Sequence, residues 1–597
     1  MGRTLLQKIL KVGNEKPGDI IDVEVDARIA RDFGGANVVK NLRDNGLEVE
    51  DAGRTFFTFD CNPGGSDQKY AANQHVCRLF ARERGIKVFD IDMGIGTHIA
   101  IDEGLVGPGG VLVSTDSHAN ILGAVGAFGQ GMGDVDIAAA FSRGKVWFKL
   151  PMSIRITLRG MPLEKAAPKD VALRMLQVLG ANGLLGYAAE VRGSYADHLR
   201  LSGRITIASM CTEMGGIIIL FPPSDQVLEE LGMDGSDWRP DDDARYDKEL
   251  EIDISGVGPM ISRPGHPEDV VSVSEVKGVK IDSAFIGSCT NGRYEDIKAA
   301  ADVLRGRKVA PGVVLKVVPS TRKVWERCLE EGIIKTLMDA GALVGNAGCA
   351  GCAAGQIGQN GPGEITISSG NRNFAGKQGK GSVYLASPET VAASAAAGFI
   401  TTKDGIPEEP AVFTAPRVEA SVAECRDVQV EKPTTFRGRV WFIPRDNIDT
   451  DMIYHNRYLT ITDISEMGRY AFDNLQGYED FASRVKEGDI VAVGKNFGAG
   501  SSRQQAVDCF RSLGVSLILA KSFGAIYERN AINSGMPILT YGPEEGFFED
   551  GDELEVDVLA GRIRNLTRGK EMKTEHFSEV QLEIYIRGGL LVKPCER

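Results

Sequence analysis

The chain has 597 residues, 43% hydrophobic and 25% charged, ordinary proportions for a globular protein with more than one packed core. A net charge of -14 argues against nucleic acid or an anionic membrane as the main partner, because both are repelled by such a field; an acidic ligand then demands a local concentration of Arg and Lys. No apolar stretch approaches the roughly 20 residues that span a bilayer, and the densest, GGIIILFPP at 215–223, is closed by prolines.

The N-terminal residues, MGRTLLQKILKVGNEKPGD, contain no long apolar core or small-residue cleavage site, so a cytoplasmic protein is expected. From there to about residue 400, apolar runs that read as strands alternate with helical stretches. GVLVST (110–115) precedes DIAAAFSRGKVWF (136–148), and VVLKVVP (313–319) precedes STRKVWERCLEEGIIKTLMDAG (320–341), which is α/β patterning. This first part is taken as 1–401. The stretch 402–436 has several prolines, many charges and no sustained period, and reads as a linker. Beyond it GRVWFIP (438–444), GDIVAVG (488–494), VSLILAKS (515–522) and ELEVDVL (553–559) read as strands of a smaller unit over 437–597.

Two glycine-rich segments stand out. GAVGAFGQGMG (123–133) lacks the strand–GxGxxG–helix context of a dinucleotide site, so its glycines are expected to let backbone approach a cofactor or a neighbouring helix closely. GAGSSR (498–503) follows a strand and precedes a helical stretch, where free N–H groups cradle a carboxylate or a serine simply caps the helix.

The ten cysteines are scattered, not arranged as an extracellular framework, so most are expected to be reduced thiols. In GNAGCAGCAAGQ (345–356), Cys349 and Cys352 form a CxxC pair with three readings: a redox dithiol, half of a zinc site, or ligands of an iron–sulfur cluster. A third cysteine, Cys289, follows an apolar run at 281–287 that reads as a buried strand and precedes an amphipathic helix, a position where α/β sheets place their active groups. Three thiolates on such loops would hold three corners of a [4Fe–4S] cube and leave one iron open as a Lewis acid. Zinc would need a fourth Cys or His, and none lies near either element in sequence.

Five segments, STDSHANILGAVGAFGQGMGD (114–134), IGSCTNGRYED (286–296), GCAGC (348–352), SGNRNFAGKQG (369–379) and GKNFGAGSSRQQA (494–506), occur in one order across nearly the whole chain. Together they resemble the signature segments of the aconitase and isopropylmalate isomerase superfamily, most closely its isopropylmalate isomerase and homoaconitase branch, with large and small subunits fused. The resemblance implies three α/β subdomains around a [4Fe–4S] cluster on Cys289, Cys349 and Cys352, and a swivelling C-terminal α/β domain that closes over it. It implies a hydro-lyase acting on a 2-hydroxy di- or tricarboxylic acid.

The same resemblance implies roles for single residues. Ser501 is the base on carbon, its anion favoured by the N–H groups of Ser502 and Arg503. Arg503 and Arg372 bind substrate carboxylates. His98 and His118 fall where the family keeps catalytic histidines, and Asp116 and Glu213 where it keeps their carboxylate partners. The other five histidines are read as structural. The chain also departs from the pattern. Asp60 is retained, but Cys61 stands where a histidine is expected, so a carboxylate-backed His98 is expected to carry the proton to the departing hydroxyl while Cys61 shapes the pocket. Lys377 stands where an arginine usually follows NRNF and is taken as substrate-facing, Lys495 replaces an acidic residue, and RQQA replaces REHA. The loop NRYLTITD (456–463) aligns with the stretch that reads the substrate's variable group. With Thr460 and Ile461 after its Tyr-Leu pair, an isopropylmalate-like or methylated malate-like substrate is favoured over aconitate-type or homoaconitate chemistry. Asp449 and Asp451 either orient interface residues or are solvated turn acids. A cluster-bearing regulatory protein that has lost catalysis is the competing reading.

Overall fold

The structure, a computed structural model, describes residues 2–64, 67–235, 237–351, 357–412, 432–542 and 546–592. It divides into two compact units, Met1–Pro416 and Arg417–Arg597, so the division falls within the stretch read as a linker. Residues 413–431 of that stretch lie outside the described residues, and its end is already strand, since Thr435–Ile443 begins before residue 437.

The first unit is built on three main sheets. One is parallel throughout, in the order Lys87–Phe89, Thr55–Thr58, Ala27–Arg31, Val111–Ser114, Phe128–Gly131. Its three inner strands are buried at every position, which is why VLVS at 111–114 reads as an apolar run, although Ala27–Arg31 buries two arginines among its apolar residues. A second, also parallel, runs Ile218–Leu220, Tyr187–Arg192, Met152–Arg159, Lys248–Asp253. The third has seven strands, with Ser283–Ile286 between Ile365–Ser368 and Val314–Val317, and two antiparallel strands, Met260–Ser262 and Val270–Ser272, at one edge. Among the described residues no helix is long and apolar enough to cross a membrane.

Some boundaries differ from the sequence reading. The helix begun by DIAAAFSR runs Asp134–Arg143 and stops at Gly144, whose φ of 69° favours glycine; GKVWF then forms a strand, Lys145–Lys149, antiparallel to Ile20–Glu24. The long helical stretch at 320–341 is two helices, Arg322–Glu330 and Ile333–Ala340. In the 123–133 segment a 3-10 helix, Ala119–Val125, leads into the strand Phe128–Gly131. A Cβ on Gly123 would lie 1.9 Å from the carbonyl oxygen of Ile219, in a neighbouring strand, and one on Gly129 would lie 2.0 Å from the carbonyl oxygen of Ala119, in the 3-10 helix, so these glycines permit close backbone approach to both.

The second unit is one seven-stranded sheet. Four parallel strands, Ile538–Thr540, Leu517–Ala520, Ile490–Val493 and Thr435–Ile443, continue into three antiparallel ones, Glu553–Asp557, Arg562–Asn565 and Lys570–Lys573. Alternate residues of the central strands feed two separate cores, Val491 and Val493 on one face and Ile490 and Ala492 on the other.

Candidate active site

The candidate residues of the first unit begin at the carboxyl ends of adjacent parallel strands, where open α/β sheets expose groups to ligands. Arg31 ends the strand between those that lead to Asp60 and Asp116. Its Nε donates to Asp60 at 2.7 Å, and its Nη1 lies 3.1 Å from Asp116. All three side chains are buried. Burial pushes the Asp60 carboxyl up to about 6, against the pull of Arg31. Burial also works against the charge on Asp116, but Arg31 and His118 outweigh it and hold that carboxyl below its ordinary value. No motif marks Arg31 in the sequence; only the strand order puts it between the two carboxylates.

Cys61 is buried beside the same group, its Sγ 3.5 Å from Asp60, while its N–H donates to Asp32 at 3.1 Å. Burial raises the thiol well above its usual range, so it is neutral near pH 7.

Asp116 accepts from the backbone N–H of His118 at 3.0 Å, which turns the chain just after Val111–Ser114. The His118 Nε2 lies 3.4 Å from Glu213 Oε1 and 2.7 Å from the amide Nδ2 of Asn371. Arg372 donates through Nε to the same Glu213 oxygen at 2.7 Å, and the Asn371 amide also reaches Cys289 Sγ at 3.7 Å. Burial opposes a charged His118, but Cys289 and Glu213 more than compensate, and its pKa is raised well above the ordinary value. Burial likewise opposes the Glu213 carboxylate, which His118 and Arg372 keep ionised. Glu213 Oε2, Arg31 Nη2 and His98 Nδ1 are buried and have no hydrogen-bond partner among the described residues, so each keeps one polar atom that none of these pairs uses.

His98, in the helix Gly96–Asp102, is fully buried, and its Nε2 lies 2.9 Å from the carbonyl oxygen of Cys289. Among the described residues neither expected carboxylate bonds to it: Asp116 pairs with Arg31, Glu213 with His118 and Arg372, and the nearby Asp102 is taken by Arg293 at 2.7 Å and Thr321 at 2.8 Å. Burial, and then the charge of Arg293, lower the His98 pKa to about 4. Near neutrality His98 is therefore uncharged, whereas His118 is the histidine backed by a carboxylate.

Cys289 and Cys349 pack with Ile95 in one small buried cluster. Cys289 follows Ser288, whose φ of 76° is a left-handed conformation that costs a non-glycine residue on the order of 1 kcal/mol or more and recurs at functional sites. The Cys349 N–H donates to the Asp60 carbonyl at 2.9 Å, tying the two thiols to the first sheet. Cys352 lies outside the described residues. Two buried cysteines packed in one cluster with Ile95, with an amide donor beside one sulfur, fit an iron–sulfur cluster in donor type. A shallow cleft lined by Ser288, Ala350, Asn371, Arg372, Lys377 and Gln378 borders these loops, which brings Lys377 to the same rim as Arg372. The wider groove beside Trp147 is lined mainly by apolar side chains and glycine and holds none of the candidate groups.

In the second unit Ser501 and Ser502 are exposed, on a loop that precedes the helix Gln505–Ser512. Thr450 donates to the Ser501 carbonyl at 3.1 Å. Arg503 is buried and forked onto Asp451, at 2.6 and 2.7 Å, with a further bond to the Tyr454 carbonyl. Asp449 caps the helix Thr450–Ile453. Thr460 is exposed in the turn after Asn456–Tyr458, and the Tyr458 ring stacks on Tyr470 with centroids 4.0 Å apart.

The first unit thus presents an α/β enzyme site equipped for proton transfer beside an arginine suited to carboxylates. Residues 7–398 match the aconitase family (aconitate hydratase), and residues 427–544 match the aconitase C-terminal domain. The chain belongs to the aconitase family, and its activity is that of a hydro-lyase. It is 41% identical to the homoaconitase large subunit of Thermus thermophilus, over 68% of this chain and 99% of that one. It is 39% identical to 3-isopropylmalate dehydratase large subunit 1 of Methanopyrus kandleri, over 67% and 99%. Among solved structures, 3-isopropylmalate dehydratase (leuD) from Methanocaldococcus jannaschii is 36% identical over 26% of this chain and 91% of that chain, with a TM-score of 0.25. Holo aconitase X from Thermococcus kodakaraensis is 14% identical over 59% and 84%, with a TM-score of 0.37.

Proposed function

We propose that this protein dehydrates a 2-hydroxy acid to its unsaturated acid, with an isopropylmalate-like or methylated malate-like substrate favoured, using a [4Fe–4S] cluster on Cys289, Cys349 and Cys352. When bound, the cluster supplies a Lewis acid for the substrate hydroxyl. The observation that carries the reading is the shared Glu213 oxygen. One carboxylate orients both an arginine able to take a substrate carboxylate and a histidine whose proton can go to the departing hydroxyl.

In this scheme Arg372 binds and orients the acid, with Lys377 beside it at the rim. Cys289 and then Glu213 favour the protonated form of His118, and the proton held there is transferred as the C–O bond breaks. This assigns the acid role to His118 in preference to His98, because a histidine lowered to about 4 by burial holds no proton to give at neutral pH. Asp60 and Asp116, fixed by Arg31, shape the polar floor. In the second unit Ser501 removes the proton from carbon, helped by the N–H groups of Ser502 and Arg503, while Arg503 orients a substrate carboxylate and Thr460 contacts its variable group.

We also propose that the chain fuses the large and small parts that relatives keep as separate subunits. Large-subunit relatives are matched over 99% of their own length by only 67–68% of this chain, and the aconitase C-terminal domain match, 427–544, follows the aconitase match at 7–398. The test is anaerobic purification with iron and sulfide analysis, then a screen of 2-hydroxy di- and tricarboxylates for the unsaturated product. Turnover of 3-isopropylmalate or a methylated malate is expected. Turnover of homoaconitate or citrate alone would replace the substrate assignment, and no turnover by iron-loaded protein would overturn the reading.

A further inference from the structure

We propose that Lys169 is a positioning residue whose ammonium ties together the two segments that carry Arg372 and Glu213. Lys169 is the second residue of the helix Pro168–Leu179 and is completely buried. Its Nζ donates to the Gly370 carbonyl at 2.6 Å and to the Ser369 carbonyl at 3.3 Å, and it reaches the Met210 sulfur at 3.7 Å. An ammonium has three donors, and these three neighbours account for them without any carboxylate in contact.

Both ends of this tie lead directly into the site. Ser369 and Gly370 follow the strand Ile365–Ser368 and immediately precede Asn371 and Arg372. The Ser369 hydroxyl also accepts from the Gly287 N–H at 3.0 Å, two residues before Cys289. Met210 caps the helix Leu201–Ser209 and stands three residues before Glu213. The Arg372–Glu213 pair joins the same two segments at their tips. The segments therefore meet twice, once through the substrate-facing ion pair and once through Lys169 behind it.

Burying an ammonium with no ion pair is expensive, and an aliphatic side chain would fill the space at lower cost. What the ammonium adds is direction: two main-chain carbonyls are held toward one point, which fixes the backbone from which Asn371 and Arg372 project. Lys169 lines none of the cavities described above, so a nucleophilic role has no access for a substrate. Burial lowers its pKa to about 8, with the charges of Glu213, Cys289, Asp296 and Asp170 as the surrounding influences, so the ammonium form is held at neutral pH.

The functional consequence rests on the reading of Arg372 as a carboxylate-binding group, and the test separates the two. Lys169→Met and Lys169→Arg are prepared anaerobically with cluster, and backbone hydrogen exchange is measured across 365–375, alongside KM and kcat for 3-isopropylmalate. In Lys169→Met, exchange at 370–374 should accelerate about tenfold or more while 283–286 stays protected, and KM should rise about tenfold with a smaller loss in kcat. Lys169→Arg should recover most of the protection and of the KM. Unchanged exchange in a folded Lys169→Met protein overturns the proposal whatever the activity. If the wild-type protein turns over no hydroxy acid but exchange responds as described, the positioning role stands and the functional reading fails. Should Lys169→Met not fold, Lys169→Gln, which keeps one amide donor, decides the matter by the same exchange criterion.

Discussion

Arg503 and Asp451 form a two-pronged pair, Nη1 to Oδ1 at 2.6 Å and Nη2 to Oδ2 at 2.7 Å, within the second unit. The hydrogen bonds from Arg503 are the main reason the Asp451 carboxyl sits below its usual range. Two parallel bonds fix the plane of the guanidinium as well as its position. Asp451→Asn should therefore misplace Arg503 and lower kcat/KM by about ten- to a hundredfold. The thermal midpoint should shift by only about 4 °C or less, because the carboxylate is 41% exposed and such pairs add little stability. A kinetic change under about threefold would mean that Arg503 does not depend on this acid.

Glu213→Gln removes the charge that serves both His118 and Arg372. The carboxylate helps to raise the His118 pKa, so without it the ring loses its proton at lower pH. If protonated His118 is the acid, the alkaline limb of the pH–rate profile should move to lower pH and kcat/KM should fall by about a hundredfold. An unmoved limb would assign the proton to another group.

His98 gives the opposite pH signature. Its folded pKa, lowered to about 4, lies below the ordinary value near 6.5, so between those limits the unfolded chain binds more protons and stability rises with pH. On acidification from pH 7.5 to 5.5 the wild-type protein should lose roughly 1–2 °C more in thermal midpoint than His98→Gln. Equal losses in both proteins would show that His98 is not held neutral.

Ser501→Ala should retain cluster and substrate binding while turnover falls by about a thousandfold or more, the pattern of a group acting in the transition state. Near-normal turnover would reduce Ser501 to a loop residue with no chemical role.

The central strands were legible because parallel strands buried on both faces must be continuous apolar runs, as at 283–286 and 490–493. The motif residues His118, Glu213 and Arg372 were likewise visible from their local segments, although they come from different sheets and loops. Arg31 and Lys169 were not. Each owes its place to a long-range packing event, strand order in one case and contact of a helix with the 369–370 backbone in the other, and neither leaves a local pattern. The strand at 145–149 was misread because its apolar run continues directly from an amphipathic helix, with a single glycine as the only break. The carboxylate expected behind His98 was not found for a third reason: Asp116 is held by Arg31 and Glu213 by His118 and Arg372, pairings made across separate strands and loops that leave no local pattern.

The last prediction concerns which thiols hold iron. Seven described cysteines are buried, so burial alone does not choose among them. Cys289 and Cys349 pack together with Ile95, with the Asn371 amide beside the Cys289 sulfur, where a thiolate can exchange its lost hydration for bonds to iron. Cys61 is close to the site but faces the opposite situation. It stands against Asp60 and Asp32, whose charges add to burial in disfavouring the thiolate that a metal ligand needs to be. Cys289→Ser, Cys349→Ser and Cys352→Ser should therefore each lose most of the iron after anaerobic preparation. Cys61→Ser should keep iron at the wild-type ratio, and Cys61→Ala should cost less than about tenfold in turnover if the thiol only fills space beside Asp60. Loss of iron from Cys61→Ser, with iron retained in Cys349→Ser, would move the cluster to the carboxylate-rich side of the site and overturn the ligand assignment.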